Sequence, residues 1–157
     1  MHPLPLINRR ESPHTTSSTR GKATHYQYDA VGRQTIVTDA LAQASEQSYD
    51  SAGNVASSQD AKGQVTTFGY DLMGRRTSTT LANGSKSLVG FNAAGQRISQ
   101  TDATGFVTTF AYDPMGRLAK VTDALNKDTA FSWNSLGQLL TQTDALGRVT
   151  GYGYDAA

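Results

Sequence analysis

Carboxylates are the residues of this chain with the most evident chemical potential. Thirteen Asp and Glu occur in 157 residues, and eleven of the thirteen are Asp. Two carboxylates about 5 to 9.5 Å apart could run the hydrolysis of a glycosidic bond, and several oxygens around one point could hold a calcium ion. Histidine would add a general base or a ligand, but His2 and His14 precede the patterned part of the chain and His25 stands beside Tyr26 in its first segment. No H-x-x-x-H, G-x-S-x-G or phosphate-loop pattern occurs. Without any Cys, a disulfide framework, a thiolate metal site and a cysteine nucleophile are excluded.

The excess of Asp over Glu is a turn signal, because Asp favours turns and Glu favours helices. Its cause is a repeat. Tyr28, Tyr49, Tyr70, Phe91, Tyr112, Trp133 and Tyr154 recur every 21 residues, each followed by Asp or Asn: Asp29, Asp50, Asp71, Asn92, Asp113, Asn134 and Asp155. With the aromatic residue as position 1, Gly holds position 5 at Gly32, Gly53, Gly74, Gly95, Gly116 and Gly137. Half a repeat later Asp holds position 12 at Asp39, Asp60, Asp102, Asp123 and Asp144, with Leu81 the exception. Gly holds position 15 at Gly21, Gly63, Gly84, Gly105 and Gly147, with Ala42 and Asn126 the departures. Two positions of one repeat thus account for ten of the eleven Asp.

Both landmarks read D-x-x-G. Asp accepts a hydrogen bond from the backbone two residues on, and Gly takes the positive φ that leads into the next strand. Between the turns lie segments such as QVTTFGY from Gln64, FVTTFAY from Phe106 and RLAKVT from Arg117. Their length and their Thr, Val, Phe and Tyr content predict strands, and no window has the helical spacing of apolar residues. Each repeat therefore reads as one β-hairpin, with thirteen strands between Lys22 and Tyr154. Alternation puts Thr66, Phe68 and Tyr70, or Thr108, Phe110 and Tyr112, on one face, and small or polar residues on the other. Because 21 is odd and side chains alternate with period two, each repeat must hide one residue in a β-bulge, expected at a D-x-x-G turn.

A second period of 42 overlies the first. Position 6 reads Arg33, Asn54, Arg75, Gln96, Arg117, Gln138, and in the later repeats Arg accompanies Tyr-Asp while a neutral amide accompanies Phe-Asn or Trp-Asn. This predicts an Arg–Asp charge match within or between neighbouring turns. Catalysis is not expected: consecutive turns on one rim are two strands apart, about 9.5 Å, and each Asp is engaged by its own turn. Calcium repeats of the G-G-x-G-x-D kind use a shorter period with more ligands per turn, so no metal site and no cofactor are expected. The formal charge of +1 provides no footprint for nucleic acid or an anionic membrane, and no apolar run approaches the roughly 18 residues of a membrane span.

From Gly21 to Asp155 the sequence resembles the YD repeat, or Rhs repeat, family, with the best matches at GFVTTFAYDPMGRLAKVTD from Gly105 and GQVTTFGYDLMGRR from Gly63. The family includes bacterial Rhs and wall-associated polymorphic toxins, C components of toxin complexes, and teneurins. The resemblance implies an all-β fold, a single curved antiparallel sheet of hairpins wound as a spiral shell that in the bacterial toxins encloses a C-terminal effector. Asp113-Pro114-Met115-Gly116 is similar to the family's aspartyl cleavage motif, but it sits in the ordinary turn frame and is read as a turn. Residues 1–20 fall outside the repeat and are read as a flexible leader or as sequence carried over from a broken gene, with no export signal; residues 21–157 are the array.

The function this reading predicts is structural and not enzymatic: a stretch of the shell of a secreted or envelope-associated toxin. The expected partners are further YD repeats and an encapsulated toxin domain. The structural residues are the turn and ladder positions Tyr28, Asp29, Gly32, Tyr49, Asp50, Gly53, Tyr70, Asp71, Gly74, Tyr112, Asp113, Gly116, Trp133, Gly137 and Tyr154. The alternative is a cell-surface adhesion module that stacks glycans on Phe68, Tyr70, Phe110, Tyr112 and Trp133, against the simpler role of these rings in cross-strand packing worth about 0.2 to 1 kcal/mol per pair. Thirteen strands at about 4.8 Å, closed into a ring, give a backbone diameter of only about 20 Å. A 100-residue effector is more than about 30 Å across. The chain alone is thus expected not to enclose a cargo, and an open sheet would offer its terminal strands for pairing.

Overall fold

The computed structural model describes residues 14–18 and 22–155. Among these there is no helix; the chain is all-β. Its strands are β1 (His14–Ser18), β2 (Lys22–Tyr28), β3 (Gln34–Thr38), β4 (Ala44–Tyr49), β5 (Val55–Gln59), β6 (Val65–Tyr70), β7 (Arg76–Thr80), β8 (Lys86–Phe91), β9 (Arg97–Thr101), β10 (Val107–Tyr112), β11 (Leu118–Thr122), β12 (Asp128–Trp133), β13 (Leu139–Thr143) and β14 (Val149–Gly151). β2 to β14 are the thirteen strands expected between Lys22 and Tyr154. Residues 14–18, inside the stretch read as a leader, form a further strand. The rest of that stretch lies outside the described residues.

The chain divides into two compact units, one of Met1–Arg75 and Thr80–Gly84, the other of Arg76–Thr79 and Ser85–Ala157. In the first unit β1 to β6 pair antiparallel in chain order. In the second, β8 to β14 do the same. Neighbours in sequence are neighbours in the sheet because a tight turn closes each pair, which keeps the loop-closure cost low.

The register explains how an odd repeat keeps one face. Gln27 pairs with Ile36 but Tyr28 pairs with Gln34, so Thr35 is left over. The same shift falls at Ser48/Tyr49, Gly90/Phe91, Ala111/Tyr112 and Ser132/Trp133. The bulge required by parity is therefore present in these five repeats, but it lies in the strand just after the first-rim turn, opposite the aromatic residue, and not in the turn itself. A residue skipped there rotates the following strand by one side chain, so that the next aromatic returns to the same face. β1 obeys this frame as well: Ser17 pairs with Ala23 as Thr38, 21 residues later, pairs with Ala44.

No described side chain is buried. β10 alternates between exposed Val107, Thr109 and Ala111 and half-buried Thr108, Phe110 and Tyr112. Among the described residues each unit is thus a single layer, in which cross-strand neighbours cover the aromatic face. Domains ordinarily bury one layer on another. Here the ladder, the turns and lateral side-chain contacts carry the order.

Candidate functional site

The side chains with chemical potential gather on the two rims and along the aromatic row. On the first rim the turn at Asp113 is representative. The Gly116 N–H donates to the Asp113 carbonyl (2.9 Å) and the Asp113 N–H to the Arg117 carbonyl (2.8 Å). Asp113 Oδ1 accepts from the N–H of Met115 (3.0 Å) and of Arg117 (2.9 Å), and Oδ2 accepts from Arg117 Nε (2.7 Å). One carboxylate thus staples the turn at three points. Pro114 fits this geometry because its fixed φ suits the second residue of such a turn.

The 42-residue period is a change of partner in this staple. Arg33, Arg75 and Arg117 each give Nε to Asp29, Asp71 and Asp113 at 2.7 Å. In the intervening turns Asn54 Nδ2 donates to Asp50 Oδ2 (3.0 Å), Asn92 Nδ2 to Gln96 Oε1 (2.7 Å) and Asn134 Nδ2 to Gln138 Oε1 (2.7 Å). The charge match lies within the turn. An amide donor, from Asn54 to the Asp50 carboxylate and from Asn92 and Asn134 to a glutamine oxygen, keeps the hydrogen bond where the ion pair is absent.

On the second rim Asp39, Asp60, Asp102, Asp123 and Asp144 each accept two backbone N–H groups on Oδ1. Arg148 adds its Nε to Asp144 at 2.6 Å. The positive φ is supplied by Gly at ten of the twelve turns, by Ala42 (61°) and by Asn126 (59°). Asn tolerates the left-handed region, whereas for Ala it costs about 1 kcal/mol or more.

These bonds set the electrostatics. The backbone N–H of Arg33, Arg117 and Arg148 is the largest influence holding Asp29, Asp113 and Asp144 below the usual carboxylate range, with the guanidinium adding to it. The amide of Asn54 does the same for Asp50, and the hydroxyl of Thr104 for Asp102. At Asp71 partial desolvation pulls upward, but the Arg75 bonds outweigh it. Asp128, outside the turn frame, is lowered by Thr122 (2.6 Å) and Lys120 (3.1 Å). A carboxylate held ionised and already accepting bonds is a poor proton donor. No group of three or more metal-ligating side chains occurs among the described residues.

The aromatic row is tied down from edge and face. Tyr49 donates its hydroxyl to the Gln34 carbonyl (2.7 Å), Tyr70 to Val55 (3.0 Å), Tyr112 to Arg97 (2.9 Å) and Tyr154 to Leu139 (2.9 Å), while Trp133 gives its indole N–H to Leu118 (2.8 Å). Each acceptor lies 15 residues earlier, so each of these five rings is pinned to the preceding repeat. Arg33 sits over the Tyr49 ring at 4.5 Å, Arg97 over Phe110 at 4.6 Å and Arg117 over Trp133 at 5.8 Å, distances at which a guanidinium is attracted to the ring face. Arg117 also reaches the Asn134 carbonyl (2.6 Å), and Gln96 reaches the Gly116 carbonyl (2.9 Å).

Tyr28, Tyr49, Tyr70, Tyr112 and Trp133 thus stand at strand ends, Tyr154 just beyond β14, and Asp29, Asp50, Asp71, Asp113, Gly32, Gly53, Gly74, Gly116 and Gly137 in the turns. The stacking candidates Phe68, Tyr70, Phe110, Tyr112 and Trp133 are half-buried; the more exposed rings are Phe106, Tyr152 and Tyr154. The backbone carbonyls at Gln34, Val55, Arg97, Leu118 and Leu139 are the acceptors that sequence reasoning missed, since a carbonyl has no signature in residue type.

The RHS Repeat family model matches residues 49–86, 91–127 and 133–157. With nearly two thirds of its length matched, the chain belongs to the RHS repeat family. No curated protein matches it in sequence. Among solved structures, TcdB2-TccC3-Cdc42 is similar over 78% of this chain and 8% of its own, at 15% identity and a TM-score of 0.59. TcdB2-TccC3 is similar over 78% and 7%, at 14% and 0.54. The Photorhabdus luminescens Tc holotoxin pore, in a TccC3 variant, is similar over 78% and 7%, at 16% and 0.52. The likeness is one of fold, and this chain spans less than a tenth of those chains. No described helix is long and apolar enough to cross a membrane.

Proposed function

We propose that the protein is structural, a stretch of the wall of an RHS-repeat toxin assembly that is secreted or held at the cell envelope, and that it performs no catalysis. The observation that carries this is that the repeat itself occupies the turn carboxylates and the polar edges of the ladder rings. The turn carboxylates hold turns, and the hydroxyl or indole edges of the ladder rings hold the preceding strand. Membership of the RHS repeat family and the fold shared with toxin-complex structures support the same reading. In this proposal the natural neighbours of its sheet are further YD repeats, and a folded effector is the cargo that such a wall encloses.

Glycan stacking on the aromatic row is the less supported reading, because Phe110 and Trp133 already have a guanidinium over the ring. Electron cryomicroscopy of the assembly carrying a tagged copy of this chain tests the proposal. The expected result is β2–β14 as consecutive strands of a continuous wall. Finding the chain as an appended module outside any wall, or observing saturable quenching of Trp133 by a glycan, would overturn it.

A further inference from the structure

The tip of each first-rim turn carries an apolar residue that the turn itself does not require. Position 4 reads Val31, Ala52 and Met73 in the first unit and Ala94, Met115 and Leu136 in the second. Turn tips ordinarily take Gly, Pro, Asn, Asp or Ser, and the bonds that close the representative turn at Asp113 use backbone groups, the carboxylate and Arg117, not the Met115 side chain. The four larger tips are 68% to 81% exposed, more than any apolar residue of the described strands. The second rim has a complementary regularity: position 13 is Ala in all six repeats, at Ala40, Ala61, Ala82, Ala103, Ala124 and Ala145. In the second unit Leu125 and Leu146 follow two of these and are 73% and 76% exposed. Within a unit, consecutive tips on either rim stand two strands apart, about 9.5 Å. Large tips on one rim and small residues on the other thus recur at one interval, and a partner meets every tip only if it shares that interval.

From this we infer that the first rim of the second unit docks against the second rim of the same unit in another copy of this chain. Met115 and Leu136 seat over Ala124 and Ala145, beside Leu125 and Leu146. Seating removes apolar surface from water on both rims, and each Ala leaves the space that a longer side chain would fill. Because the two surfaces differ, the contact is heterologous and repeats from copy to copy. Pairing of edge strands continues one sheet and leaves both rims in water, so rim docking goes beyond the wall reading and does not depend on it.

The chain has no Cys, so the test is disulfide coupling between singly substituted full chains mixed in equal amounts under oxidation. Leu136→Cys should couple with Ala124→Cys or Ala145→Cys several-fold faster than with Thr109→Cys, an exposed position inside β10, and several-fold faster than with itself. Adding Met115→Glu to the Leu136→Cys chain should remove that advantage while the circular dichroism spectrum stays unchanged. Equal coupling to the Thr109→Cys chain, or faster coupling of Leu136→Cys with itself, would overturn the rim pairing, and this comparison decides even if the Glu variant fails to fold. Unchanged coupling in a folded Met115→Glu chain would overturn the role of the apolar tips. Sedimentation with phosphatidylserine vesicles that Met115→Glu abolishes, in the absence of rim coupling, would assign the tips to a lipid surface and overturn the proposal. Any of these failures leaves the wall reading standing, since strand pairing at β14 uses neither rim.

Discussion

The hydroxyl of Tyr49 donates to the carbonyl of Gln34 across 2.7 Å, joining the last residue of β4 to the first residue of β3. This bond recurs along the chain and explains why the position is aromatic with a polar edge: the ring covers the half-buried face while its edge reaches over to the preceding repeat. Tyr49→Phe should leave the ring packing intact and cost about 1 kcal/mol, read as a lower urea midpoint with an unchanged circular dichroism spectrum. Phe91 shows that the frame accepts a ring without the hydroxyl.

Ala42 is the poorest fit to its own backbone. At φ 61° it occupies a region that Gly reaches without cost, so Ala42→Gly should stabilise the protein by about 1 kcal/mol. Asn126→Gly should gain less, because Asn already tolerates that region. Thermal unfolding of the two variants side by side checks the order.

The interchange of ion pair and amide pair along the first rim can be examined in a double-mutant cycle at Asp113 and Arg117. Asp113→Asn or Arg117→Gln alone leaves a mismatched staple, whereas the double variant recreates the Asn134–Gln138 arrangement. The double variant should be more stable than the sum of the single losses predicts, by about 0.5 to 1 kcal/mol. Some loss should remain, since Arg117 also covers Trp133 and bonds the Asn134 carbonyl.

Acid should loosen the sheet. The turn carboxylates at Asp29, Asp50, Asp71, Asp102, Asp113 and Asp144 are held below the ordinary value of 3.8 in the folded chain. As pH falls past 3.8 the unfolded chain takes up protons that the folded turns resist, so the equilibrium shifts toward unfolding. Stability should be level above about pH 5 and decline as pH falls through the lowered folded values. Denaturant midpoints measured across an acid series check this, with loss on raising pH from 5 to 7 the opposite outcome.

Much of the fold is legible in the sequence because its determinants are local. Asp113 and Gly116 define a turn within four residues, and the parity of the 21-residue period demands a bulge before any coordinate is seen. Its place was not legible, since one skipped residue anywhere in the repeat restores the alternation, and it falls at Thr35 and its equivalents opposite the aromatic residue. β1 carried no mark: Ser18 stands where Asp stands in later repeats, and its register with β2 emerges only from pairing. The acceptors of the aromatic row were silent for the reason that any residue has a carbonyl.

In the proposed reading, single-layer units with no buried side chain among the described residues are continued by further repeats. The structural reading is tested most directly by static light scattering across a concentration series, combined with hydrogen exchange at β14. The account predicts a mass that rises with concentration, together with protection, appearing only on association, of those β14 amides that point away from β13. A monomer at every concentration, with those amides protected throughout, would contradict it.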